Sequence, residues 1–272
     1  MAAVSHRTLL SARGRAGGLS PIARAAALRK DSPSFLFEKA RTPVADILLY
    51  GSPLSPFFRK AEFLLRSKGV PFDTENVPVL GMPDWYAALN PGRRIPTLRD
   101  RTIAEEGVDG TIADSSAMCA FIDKKYPEPS FYPDAPFALG RALWFEEYAD
   151  TDLAAVVGGG IFRPIMFPRF QGKASDLATA QATAREKLPE KLAYLDGVLA
   201  QGPYLHGDTL TIGDVAVAAV FAQYALVAEL PEGYPHFRAF YERMSALPAL
   251  AENLAVCRKM LSKALPAPLV LS

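Results

Sequence analysis

Cysteine is scarce in this chain: of 272 residues only Cys119 and Cys257 are cysteine, and neither lies in a C-x-x-C pair or beside clustered histidines. That excludes a disulfide scaffold and a cysteine–histidine zinc site, so no metal is expected and a reducing compartment is the natural setting. Excess charge of one sign is missing too, because the net charge is +1, which gives no reason to expect a nucleic-acid or membrane partner. Long apolar runs are also lacking. The longest, "VAVAAVFAQYALVA" from Val215 to Ala228, is interrupted by Gln223. It falls short of the roughly 18 residues that suggest a membrane span and reads as a buried helix. Acidic residues, finally, are absent before Asp31, in a stretch rich in Arg, Ala and Ser. This is the composition of a mitochondrial transit peptide and equally of an idle basic extension, so the placement is cytoplasmic, with mitochondrial import left open. Residues 1–40 hold seven of the 30 Lys and Arg and two of the 29 Asp and Glu, which leaves a mildly acidic body of 23 bases and 27 acids.

What is present is hydrophobic patterning: half of the residues are apolar, enough to bury a sizeable core in two domains. After a basic extension over 1–45, a short apolar run at Ile47–Tyr50 reads as a strand and Pro56–Lys68 as a helix with Phe57, Ala61, Leu64 and Leu65 inward. Phe72–Val77 reads as extended, "WYAALN" as a helical turn, and the chain is extended again near Thr97. Two short extended pieces around "GVDG" and a helix with Ala117, Met118, Phe121 and Ile122 inward complete the pattern βαβαββα over 46–130. The Pro-rich "YPEPSFYPDAPF" reads as a linker, and 137–265 as all-helical, with Pro189 kinking or restarting one helix. In "LTIGDVAV", Thr211 and Asp214 have the spacing of a capping box, with Leu210 and Val215 as its staple. The fold class is therefore α/β followed by all-α.

The stretch "YGSPLSPFFRKAEFLL" places Ser52 and Ser55 where the first strand hands over to the first helix. Ser55 before Pro56 has the pattern of an N-cap, and a hydroxyl there also lies beside free N–H groups and the positive end of the helix dipole, where an anion is stabilised. From the residues alone both roles stand.

Four landmarks in this order, "GSPLSPFFRKAEFLL", "NPGRRIPTL", "ADSSAMCAFIDKKYP" and "LTIGDVAVA", resemble the cytosolic glutathione transferase superfamily over roughly residues 46–262. The resemblance is to its serine-type classes, of tau, phi or zeta character, and to bacterial relatives. It implies a thioredoxin-like domain at 46–130 and a helical domain at 137–265, usually as a homodimer, with glutathione as cosubstrate and a small hydrophobic electrophile as partner in a transferase reaction. By resemblance Ser55, with Ser52 as the alternative, donates to the glutathione sulfur. Ile95 pairs its backbone with the cysteinyl unit beside Pro96, the cis-proline. Arg94 lies near the glycyl carboxylate, with Arg93 its neighbour. Asp114 and Ser115 take the γ-glutamyl end, although either can be merely a cap of the third helix. Lys60, with Arg59 beside it, stands where these families carry a basic residue five positions after the serine. Trp144, Tyr148, Phe162, Met166 and Phe167 are candidates for the electrophile pocket and equally for core. Two further readings stand: a non-catalytic transferase-like binding module, and a glutathione-dependent thiol-disulfide oxidoreductase, which needs a cysteine where this chain has Ser55.

Overall fold

The computed structural model describes residues 44–271; the basic extension lies outside the described residues. The first strand, β1 (Ile47–Gly51), is buried along its whole length because it is central in a four-stranded sheet ordered β2-β1-β3-β4. It pairs in parallel with β2 (Phe72–Asn76) and antiparallel with β3 (Thr97–Asp100), which pairs antiparallel with β4 (Thr111–Ile112). The period-two geometry of a strand splits the β1 side chains. Ile47 and Leu49 join the main core, while Leu48 and Tyr50 pack on the opposite face with Val77 and Tyr86. Helices α1 (Pro56–Ser67) and α3 (Ser115–Lys125) pack together, and the short α2 (Asp84–Leu89) supplies Tyr86 to the second face. The order is βαβαββα, as the sequence implies.

Three local readings need correction. Phe57 is only half-buried, and its neighbour Phe58 fills the core instead. On α3, Ala117 is exposed and Cys119 takes the inward position with Met118 and Ile122. The piece ahead of "GVDG" is a loop: the buried Arg99 guanidinium gathers carbonyls of this piece and of the turn itself, donating to Ala104 O, Gly107 O and Asp109 O at 2.6 to 3.2 Å. Backbone acceptors satisfied by a side chain have no need of a ladder partner.

The second half opens with one helical run, α4 (Pro136–Tyr148), a π-helical stretch at Ala149–Phe162 and α5 (Arg163–Phe170). These 35 residues are long and apolar enough, by length and composition, to cross a membrane, contrary to the expectation that no stretch reaches such a span. In the fold the run packs along α8 (Ile212–Ala225), the buried helix read from "VAVAAVFAQYALVA". Gly213 permits the approach, since a Cβ there would stand 2.7 Å from Phe145 Cβ and 3.0 Å from Ala142 O. Helices α6 (Leu177–Glu186), α7 (Leu188–Leu199), α9 (Pro235–Ala246) and α10 (Pro248–Leu261) complete the bundle, and Pro189 restarts the chain as α7.

Thr211 caps α8 as its spacing implies, and the Asp214 carboxylate accepts from the Thr211 N–H and hydroxyl. It also accepts from Leu205 N–H at 2.7 Å, fastening the preceding loop. Burial pushes the Asp214 carboxyl up to about 6 in spite of these donors. Asp214→Asn should therefore destabilise the protein by about 1–3 kcal/mol at neutral pH, the cost of leaving buried donors unmet. The pH dependence has a definite sign. An unfolded aspartate titrates near about 3.9, so between that value and about 6 the folded chain holds an extra proton. The group's contribution is then fullest at low pH and is lost as pH rises through 6. Urea midpoints should separate wild type from Asp214→Asn more widely at about pH 5 than at about pH 7.5; a gap that grows with rising pH would contradict this.

Candidate functional site

The loop Ser52–Ser55 joins β1 to α1, and each of its carbonyls is committed. Ser52 O accepts from Ser55 N–H, and Ser55 O from Arg59 N–H, the first turn of α1. Pro53 O and Leu54 O are instead met by Arg59 of α1 and by side chains of the helical half. Pro53 O accepts from Arg59 Nη2 at 3.1 Å, Asn253 Nδ2 at 3.3 Å and Cys257 Sγ at 3.2 Å, and Leu54 O from Gln223 Nε2 at 3.1 Å. Arg59 is itself fully buried, with its other nitrogens on Asn253 Oδ1 at 2.6 Å and Ala219 O at 2.7 Å. One guanidinium thus ties the serine loop to α8 and α10.

Both serines face one cavity of about 670 Å³ between this loop and the helical run. Ser55 is the N-cap of α1 and accepts Phe58 N–H at 3.4 Å; Ser52 Oγ accepts Leu54 N–H at the same distance. Each hydroxyl therefore receives a long N–H bond and retains its own proton to donate. Ser55 stands closer to the dipole end of the helix, and Ser52 is the more exposed of the two.

Across the cavity floor stands Ile95, joined to Pro96 by a cis peptide bond. Gly51 allows this approach. It adopts φ +148°, and a Cβ on it would lie 3.4 Å from both Ile95 Cβ and Pro96 Cα and 2.9 Å from the Phe58 ring. Among the described residues neither the N–H nor the C=O of Ile95 has a hydrogen-bond partner. The turn before it is pinned by two side chains whose roles were not evident in the sequence. Asn90, buried, donates to Arg94 O at 2.8 Å, Thr97 Oγ1 at 3.2 Å and Ala113 O at 3.3 Å. Tyr86, whose phenol burial pushes up, donates to Arg94 O at 2.8 Å. Because Asn90 reaches both Arg94 O and Ala113 O, the Pro96 turn and the start of α3 are adjacent.

Asp114 is the N-cap of α3, with Oδ1 accepting from Ser116 and Ala117 N–H at 3.0 Å each, so the capping role is real. Its second oxygen has no partner among the described residues, and the carboxylate is exposed. Ser115 is buried beside it. Neither lines the cavity with the serines; they stand past the Pro96 turn, while Arg93 and Arg94 lie on the cavity rim. Arg93 holds φ +50°.

Of the residues considered for a pocket, Phe162 and Phe167 line the cavity. Met166 is core, and Trp144 stacks on Tyr148 at 5.3 Å, elsewhere on the helical half. Lys60 also points away from the cavity. It is buried, 2.7 Å from Glu146, paired with Asp150 and donating to Ser116 Oγ. Burial opposes its charge, but the carboxylates, Asp150 foremost, outweigh it and hold the ammonium above the usual lysine range.

The family model of the glutathione S-transferase N-terminal domain matches residues 49–130, and that of the C-terminal domain matches 158–248. Glutathione S-transferase 3 of Zea mays is 28% identical over 224 residues, 78% of this chain and 95% of that protein. Glutathione S-transferase theta-3 of Mus musculus is 25% identical over 211 residues, 73% of this chain and 81% of that protein. The crystal structure of a theta-class glutathione S-transferase from Xanthomonas axonopodis pv. citri with glutathione bound superposes with a TM-score of 0.66 at 25% identity, covering 78% of this chain and 98% of that one.

The Arg59 connection yields an expectation about stability. Arg59→Lys keeps the charge but, as a single ammonium, cannot span the acceptors on the loop, α8 and α10. It should lose about 2–4 kcal/mol, since at least one bond from a charged donor is given up and a buried acceptor is left unmet. Chemical denaturation measures this; an unchanged midpoint would show that water replaces the guanidinium at no cost.

Proposed function

Because the chain belongs to the cytosolic glutathione transferase superfamily, we propose that it conjugates glutathione to a hydrophobic electrophile, with residues 46–130 holding glutathione and 137–265 supplying the second wall. The observation that supports this most directly is the unpaired backbone of Ile95 at the edge of a cavity that also receives two serine hydroxyls. A peptide-like cosubstrate can add to such an edge as an extra strand, its N–H and C=O meeting those of Ile95. That register directs its sulfur toward the Ser52–Ser55 loop.

The chemistry required of the loop is modest. A thiol with a reference pKa of about 8.5 is mostly protonated at neutral pH, and only the thiolate attacks carbon electrophiles. Lowering the pKa by about two units takes about 2.7 kcal/mol of preference for the anion. One hydrogen bond to a charged group contributes about 1.5–3 kcal/mol, and the helix N-terminus adds about 0.3–1. Ser55 can supply the first and the start of α1 the second, so the hydroxyl acts as a donor to the cosubstrate's sulfur and the thiol proton leaves to water. Asp114, through its free oxygen, pairs with the γ-glutamyl ammonium, Ser115, through its hydroxyl and its N–H at the start of α3, with its carboxylate, and Arg94 with the glycyl carboxylate. A homodimer is part of the same reading.

The oxidoreductase reading finds little support in the two native thiols: both are buried, and burial pushes both upward, so neither is poised as a thiolate. A non-catalytic module would bind immobilised glutathione and be released by free glutathione, yet show no conjugation; the assay therefore needs both readouts.

Two substitutions test the assignment. Ser55→Ala should lose most conjugating activity while holding glutathione within a few fold, because one donor to the thiolate is removed and the backbone edge is not. An active Ser55→Ala beside an inactive Ser52→Ala would move the role to Ser52. Asp114→Ala should weaken glutathione binding by about 2 kcal/mol, as for loss of a charged partner, and lower stability by about 1 kcal/mol as the α3 cap is lost. Calorimetric titration showing unchanged affinity with the lower stability would leave Asp114 as a cap only.

A further inference from the structure

Among the described residues, the charged side chains lining the cavity are Arg93, Arg94 and Arg163, and no aspartate or glutamate lines it. This is opposite to the rest of the described chain, where acids outnumber bases beyond residue 40. Arg93 and Arg94 sit on the Pro96 turn, on the side assigned above to glutathione, whereas Arg163 stands on the helical wall at the start of α5. It is exposed, and its guanidinium lies 5.7 Å from the centre of the Phe167 ring, which gives the charge a preferred seat without neutralising it. Among the described residues it has no ion pair or side-chain hydrogen bond. Of the acids on the same helical run, Glu146 and Asp150 are engaged by Lys60 and Asp152 by Lys191, while Glu147 has no ion pair among the described residues and does not line the cavity. Around Arg163 the wall is apolar and aromatic: Phe162, Phe167, Phe170 and Ala155.

We propose that Arg163 makes this cavity selective for anionic aromatic second substrates, compounds with a flat apolar body bearing a carboxylate or sulfonate. The aromatic body occupies the phenylalanine wall, and the planar guanidinium meets the anionic group with two parallel N–H bonds. The proposal rests on the transferase reading for its reaction but not for its binding. For an aryl chloride the step is a substitution. The glutathione thiol gives its proton to water, the C–S bond forms from the sulfur electron pair, the C–Cl bond breaks, and chloride departs with the bonding pair. No oxidant or reductant is needed.

The binding test uses two fluorescent probes with one aromatic body, 1-anilinonaphthalene-8-sulfonate and the neutral N-phenyl-1-naphthylamine, titrated into wild type, Arg163→Gln and Arg163→Lys. The wild-type preference for the sulfonate over the neutral probe should fall about tenfold in Arg163→Gln, as expected for loss of a partly solvated charged bond, and less in Arg163→Lys. Equal weakening of both probes, or an unchanged preference, would overturn the proposal. The reaction test compares 4-chloro-3-nitrobenzoate with its methyl ester as electrophiles; the ratio of their kcat/KM values should fall by a similar factor in Arg163→Gln. Taking the ratio across variants cancels the different intrinsic reactivities. If the probe preference falls as expected while wild type conjugates neither electrophile, the anion site stands and the transferase reading fails. If both electrophiles react and their ratio is unmoved by Arg163→Gln, the transferase reading stands and Arg163 has no part in selectivity.

Discussion

The site depends on one constraint: a tight loop cannot satisfy its own carbonyls, and those of Pro53 and Leu54 point toward the helical half, partly withdrawn from water. A buried carbonyl without a donor costs about 1–3 kcal/mol. Here the donors come from residues 169 to 204 positions later in the chain, Gln223 and Asn253 with Cys257, and from Arg59, which is itself held by Ala219 O and Asn253. Burying a guanidinium is unfavourable unless its N–H groups are met. The loop and the arginine therefore need the helical half equally, and the position of both serines follows from the docking of α8 and α10. A thioredoxin-like half by itself would leave Arg59 exposed and the loop carbonyls turned to solvent, so the two halves form one site rather than two modules in sequence.

The adjacent residue performs the complementary task. Successive helical positions project about 100° apart, so Lys60 faces α3 and α4 while Arg59 faces α8 and α10. Its ammonium meets Glu146, Asp150 and the Ser116 hydroxyl, joining α1 to α3 and to the helical run. A charge so fully compensated, and directed away from the cavity, has little field left for a bound thiolate. The basic position five residues after the serine is thereby accounted for as a fastening, and the proposed activation of a bound thiol rests on the hydroxyl and the helix terminus alone.

The parts legible in the sequence are those whose cause is local. β1, the Ser55–Pro56 start of α1, the Thr211 and Asp214 cap and the Pro189 restart are each set by residues within a few positions, and each is observed. The four landmarks "GSPLSPFFRKAEFLL", "NPGRRIPTL", "ADSSAMCAFIDKKYP" and "LTIGDVAVA", in this order, carried the resemblance to the family. Phe57 misled because helical spacing fits two neighbouring faces, and which of Phe57 and Phe58 turns inward is decided by packing beyond the helix. The loop ahead of "GVDG" misled because its order comes from Arg99, a charged side chain that an extended pattern assigns to the surface. Gln223 registered only as a break in an apolar run, and Asn90 only as the end of a helical turn. Nothing local indicates that one holds the serine loop and the other the Pro96 turn, because each acts through carbonyls brought near only by the fold.

This arrangement divides the cavity into two sides under different constraints. On the side proposed for glutathione the features are backbone groups: the Ile95 edge, the α1 and α3 termini and the cis Ile95–Pro96 turn, held by buried polar side chains. A change to any pin leaves a buried group unpaired, so that side tolerates little. On the helical side the wall is made of side-chain surface on the π-helical stretch and α5, where Phe167 is half-buried at the edge of the core, Phe170 is exposed and Arg163 reaches solvent. Substitution there alters shape and charge without orphaning a backbone group, at a cost nearer the few tenths of a kcal/mol usual for surface positions. In the proposed reaction, selectivity is thus free to change through the helical wall while the geometry of the serine loop stays fixed by the same helices that hold it in place.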